Sequence, residues 1–122
     1  MKQRAPYKCE VFDYEDAEVY GTIFAVQSLA GAALRFVGWD ETGTVAWDTD
    51  NPTSIPATVV VTDAAERTYA ATVGPLPACT TPRPREKVYS WEVQRTNVGQ
   101  RAVLVWGFLT VTPSPPVECH ER

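Results

Sequence analysis

Few residues of this chain have the chemistry to catalyse or to ligate, and they are scattered. The single histidine, His120, stands beyond the proline-rich run Thr112-Pro113-Ser114-Pro115-Pro116, third from the C-terminus. A Ser/His or Cys/His pair built there would rest on a fraying terminus, so a solvated tail residue is the simpler reading. Cys9, Cys79 and Cys119 would complete a formal Cys3His set with His120. No CxxC spacing is present to nucleate a zinc site. Three scattered thiols do not resemble the framework of a disulfide-rich secreted domain either, and are expected to stay free.

The stretch Asp48-Thr49-Asp50-Asn51 begins like a calcium loop. The glycine and glutamate required at its sixth and twelfth positions are replaced by Thr53 and Val59. Short oxygen-bearing side chains capping their own loop explain it better. Asn51-Pro52-Thr53 is no glycosylation acceptor, because proline holds the middle position. No catalytic, metal or cofactor-binding residue is therefore expected, and an enzyme is not the favoured reading. The four tryptophans remain. Trp91 lies mid-strand and is expected in the core, whereas Trp39 and Trp47 divide between packing at loop ends and forming a surface aromatic platform.

The elements that must position these residues are strands. From Lys87 to Arg95 the chain alternates, with Tyr89, Trp91 and Val93 on one side and Ser90, Glu92 and Gln94 on the other. Thr96 to Gln100 supplies a polar turn, and Arg101 to Val111 returns as a strand apolar on both faces. Val103, Val105, Leu109 and Val111 form one face; Leu104, Trp106 and Phe108 form the other. Trp106 and Phe108 are costly to leave in water, which marks them as candidate partner contacts.

Upstream, strands are expected at Val19 to Gln27, with Tyr20, Thr22, Phe24 and Val26 sharing a face, and at Ala32 to Trp39. The latter places Leu34 and Phe36 inward and Arg35 outward. Asp40-Glu41-Thr42-Gly43 reads as a hairpin loop returning through Thr44 to Trp47. A second hairpin joins Thr58–Thr62 to Arg67–Val73, and the proline-rich segment 74–85 is expected to be irregular. The acidic run Asp13 to Glu18 breaks the alternation of a short strand at Pro6 to Phe12. Residues 1–18 thus read as an N-terminal arm, 19–112 as a β-sandwich and 113–122 as a Pro-rich tail. Tyr7, Val11 and Phe12 in the arm, with Pro115 and Pro116 in the tail, are further candidate contacts with neighbouring subunits.

At 122 residues, 44% of them hydrophobic and 21% charged, this is one ordered domain. A net charge of −4 argues against nucleic acid as a partner. No apolar run approaches the ~20 residues that span a bilayer. Basic residues near the N-terminus lack the apolar segment of a secretory signal, so synthesis in a cytoplasm is the expectation. Seven or eight short strands without helical periodicity give an all-β fold, an antiparallel β-sandwich of immunoglobulin-like type.

Leu29 to Pro113 resembles the immunoglobulin-like domain of upper baseplate and fibre-attachment proteins of tailed bacteriophages. The likeness lies in the order of LAGAALRFVGWDETGTVAWDT, ATVVVTD and the closing hairpin YSWEVQRTNVGQRAVLVWGFLTVTP. Tyr89-x-Trp91-x-Val93-Gln94, then Gly99 and Gly107-x-Leu109-x-Val111, is its most specific part. The resemblance implies a non-enzymatic virion structural protein, here a free-standing version, docking on other virion proteins and forming a homo-oligomer. Baseplate, tail fibre attachment, head fibre and capsid decoration are all contexts it allows. The alternative from the residues is a carbohydrate-binding or host-adhesion module, with glycan stacked on Trp39 and Trp47.

Overall fold

The computed structural model describes residues 7–12, 15–24, 26–51, 53–76, 86–96 and 102–112. They form eight strands: β1 (Tyr7–Phe12), β2 (Glu15–Thr22), β3 (Leu34–Trp39), β4 (Val45–Asp48), β5 (Ala57–Asp63), β6 (Thr68–Leu76), β7 (Lys87–Arg95) and β8 (Ala102–Thr112). No described residue is helical. A five-stranded sheet in the order β1-β8-β7-β3-β4 faces a three-stranded sheet in the order β2-β6-β5. The fold is thus an all-β sandwich.

Alternation along the strands makes the core. From the five-stranded sheet Phe36, Trp47, Tyr89, Trp91, Leu109 and Val111 point inward; Val19, Ile23, Tyr69, Ala71 and Val73 answer from the other sheet. Trp91 is buried, as its mid-strand position predicts. Its ring meets Phe36 edge-on at 6.0 Å between centroids. The β3–β4 hairpin forms where its turn residues stand: the Asp40 carboxylate accepts from the Thr42 and Thr44 amides at 2.9 and 3.0 Å. Gly43 supplies the left-handed backbone, φ +89°, that closes the turn.

Several expectations are corrected. The acidic run does not end the pattern: Glu15, Asp16 and Glu18 are exposed while Ala17 and Val19 are buried, so β2 starts at Glu15 and carries its charges at exposed positions. β1 and the first half of β2 therefore lie within the stretch read as an arm. β1 pairs with β8 of its own chain, and in parallel, Tyr7 opposite Gly107 through Phe12 opposite Thr112. The sandwich consequently contains one parallel pair among otherwise antiparallel ones.

Further along, β2 ends at Thr22, and Ala17 and Val19 carry its burial, with Ile23 just past its end also buried, not the set containing Tyr20 and Phe24, both of which are exposed. β6 runs through Gly74 and Pro75 to Leu76, whose side chain is buried, so the irregular segment begins later than composition suggests. In β8 the register against β7 shifts between Val93 and Gln94: Val93 pairs with Val105, but Gln94 pairs with Val103. Leu104 is the extra residue of a bulge. One inserted residue reverses the facing of everything before it, so Val103 is exposed whereas Leu104 packs against the core.

Candidate docking face

The outer face of the five-stranded sheet gathers most of the side chains that could meet a partner. Register fixes its rows. Asp48, Val37, Glu92 and Trp106 lie side by side across β4, β3, β7 and β8, and Trp39, Ser90 and Phe108 form the next row. Because paired residues in a sheet share a face, Trp106 and Phe108 project away from the core that Val105 and Leu109 enter. They remain 40% and 37% exposed and meet edge-to-face, ring centroids 5.9 Å apart and planes at 84°. Each ring holds the other, which would lower the entropy lost were a partner to cover them. Val103 extends the apolar surface at the β8 side.

The β3–β4 side of the same face is polar and internally paired. Arg35 donates through Nε to Asp48 Oδ1 at 2.8 Å, and its second terminal nitrogen reaches Oδ2, a two-pronged ion pair. The remaining nitrogen donates to Gln94 Oε1 at 3.1 Å, and Gln94 Nε2 donates to Glu92 Oε1 at 2.8 Å. Asp48 Oδ1 also accepts from the Asp50 amide at 3.0 Å. The Arg35 hydrogen bonds hold the Asp48 carboxyl well below the usual carboxylate range, against an opposing effect of burial, and the same contact raises Arg35. A carboxylate so firmly ionised and so fully engaged is a poor proton donor or acceptor. The cleft beside it, lined by Asp48, Thr49, Thr53, Ile55, Pro56 and Ala57, therefore offers no acid–base group at Asp48.

The same geometry settles the acidic loop. Asp48 caps the turn at Asp50 and receives Asn51 Nδ2 at 3.4 Å, so it closes its own loop. Among the described residues no group of three or more His, Cys, Asp or Glu side chains is arranged to hold a metal ion.

Of the two tryptophans considered for a surface platform, Trp47 is a correction: it is 0% exposed, between Phe36 and Tyr89 at 5.5 and 5.4 Å. Its position opposite Gly38 allows this, since Gly38 leaves the space that the indole fills. Trp39 is half-buried. Tyr7, Val11 and Phe12 belong to β1, whose backbone is paired to β8. Pro115 and Pro116, together with Cys79, Cys119 and His120, lie outside the described residues. Sequence reasoning missed the Arg35–Asp48 pair. Both residues carried signals, an outward charge in an apolar strand and an acidic strand end, but nothing in the sequence set β3 and β4 in register.

Comparison with protein-family models, with curated proteins and with solved structures finds no match to this chain.

Proposed function

We propose that this chain is a non-enzymatic structural protein of a tailed-phage virion, an immunoglobulin-like sandwich that docks on other virion proteins through the outer face of its five-stranded sheet. The observation that carries the docking role is the Trp106–Phe108 pair: two large aromatic rings, prearranged against each other and left exposed on a strand whose opposite face is core. Paired aromatics beside a charged rim are the composition of an interface centre and its surround. The immunoglobulin-like assignment is supported by strand order. β2-β6-β5 facing β8-β7-β3-β4 follows the chain path of that sandwich, with a parallel N-terminal strand added beside β8. The virion context rests on the resemblance of the closing hairpin.

The experiment is infection with the phage whose genome encodes the chain, followed by mass spectrometry and cryo-electron microscopy of purified particles. The chain is expected at fixed copy number in parental particles and strongly depleted in a Trp106→Ser/Phe108→Ser variant. Its absence from parental particles would overturn the virion reading. Full occupancy by the variant would overturn the docking face. A carbohydrate-binding role required Trp39 and Trp47 to present a stacking surface together, and the burial of Trp47 counts against it.

A further inference from the structure

The two sheets end in four edge strands, and three of them carry features that discourage pairing with another chain. β4 is only four residues long. β2 bears Glu15, Asp16 and Glu18 and has an irregular register near its start. β1 includes Lys8 and Glu10. β5 differs from all of them. Its sequence ATVVVTD holds no lysine, proline or glycine, and its single charge, Asp63, is its last residue. The ladder with β6 is regular from Ala57 to Val61, and the register shift falls only after Val61.

Two further observations concern the side chains of β5. Ala57, Val59 and Val61 point toward the core yet are only partly buried, and among the described residues no strand pairs with the open side of the edge. On the outer face Val60 is 54% exposed, beside Ala70 of β6 and then Tyr20 of β2, itself 67% exposed. Among the described residues this edge has backbone donors and acceptors that no strand uses, β-branched side chains and incompletely sealed apolar positions. A strand added to it would supply all three deficits.

We infer that the occupant is β5 of a second copy, joined antiparallel about a twofold axis at Val59. The regular stretch is its own complement in that register. Val59 faces the partner's Val59, Ala57 faces Val61, and Thr58 faces Val60, with no charge opposite another. The axis stands perpendicular to the sheet, so each face continues across the junction and the two three-stranded sheets become one of six. This surface is separate from the Trp106–Phe108 face, so the inference stands or falls independently of the virion reading.

Sedimentation equilibrium of the purified full chain, from micromolar to millimolar concentration, reads the dimer directly. A concentration-dependent dimer is expected. Thr58→Lys/Val60→Lys places like charges opposite each other twice and should raise its Kd about tenfold or more. Thr58→Lys/Val60→Glu places opposite charges there and should retain the dimer within about threefold of the parent. Both positions are exposed, so circular dichroism and melting should show parental folding. Should either variant fold poorly, hydrogen exchange on the parent serves instead: amides within 57–61 should gain protection as concentration rises. A parent that is monomeric throughout, a dimer that survives the paired lysines, loss of the dimer in both variants alike, or exchange at 57–61 independent of concentration would each overturn the inference.

Discussion

Gly38→Ala sets two effects of opposite sign against each other. In an unconstrained strand alanine is favoured over glycine by roughly 0.5–1 kcal/mol, through the smaller backbone entropy lost on folding. Here the added methyl would stand 2.2, 2.4 and 2.5 Å from three ring atoms of Trp47. Carbon atoms pack at about 3.5–4.0 Å, so more than 1 Å must be found in a region with no slack. Trp47 is fully buried and held by Phe36 and Tyr89, and the ring cannot turn away without giving up that burial. Overpacking alone costs about 1–3 kcal/mol. Displacing the indole approaches the ~3–5 kcal/mol of removing a buried tryptophan. The clash wins, and a net loss of about 3 kcal/mol is expected. Urea denaturation with an unchanged m-value measures it. In a Trp47→Leu background the same glycine replacement should cost far less, with a coupling of about 1–3 kcal/mol between the sites. If Gly38→Ala costs under 1 kcal/mol, or the two substitutions simply add, the indole does not lie over Gly38 and the burial of Trp47 is misassigned.

Trp91→Ala should cost about 3–5 kcal/mol, since its side chain fills the centre of the core; calorimetry would show a drop in Tm well beyond a few degrees. Asp48→Asn leaves the half-buried Arg35 guanidinium without its counter-charge and should cost on the order of 3 kcal/mol, measured by urea denaturation at neutral pH. Because the folded Asp48 carboxyl lies below its ordinary value of 3.8, its stabilisation is complete above that pH and lost as pH falls further. Acid titration of stability should therefore be shallower below pH ~4 in Asp48→Asn than in the parent. Trp106→Ser/Phe108→Ser loses the mutual ring contact, about 0.5–1.5 kcal/mol, and the covered part of two rings that are 40% and 37% exposed; calorimetry should show a folded protein whose Tm falls less than that of Trp91→Ala.

What could be read in the sequence was local and periodic. Tyr89, Trp91 and Val93 alternate with polar partners, so β7 and its core face were legible residue by residue. The β3–β4 hairpin was legible because Asp40 and Gly43 carry the chemistry of their own turn. Positions decided by pairing were not. The Leu104 bulge leaves no mark in a run of apolar residues, yet it determines whether Val103 or Leu104 faces water. Trp47 could be assigned inward only once Gly38 was known to lie opposite it. The acidic start of β2 misled because charge was counted as a run, when Glu15, Asp16 and Glu18 flank a buried Ala17. The pairing of β1 with β8 joins residues about a hundred positions apart, beyond the reach of any local pattern.

That pairing governs how the domain answers a pull. β1 and β8 run in the same direction, with Tyr7 beside Gly107 and Phe12 beside Thr112. Tension applied between Tyr7 and Thr112 drags the two strands past each other lengthwise, loading the whole ladder at once. A hairpin gripped at its open end parts one rung after another. A sandwich tethered at these two points resists extension as a latch does, and separation of β1 from β8 becomes the first mechanical event.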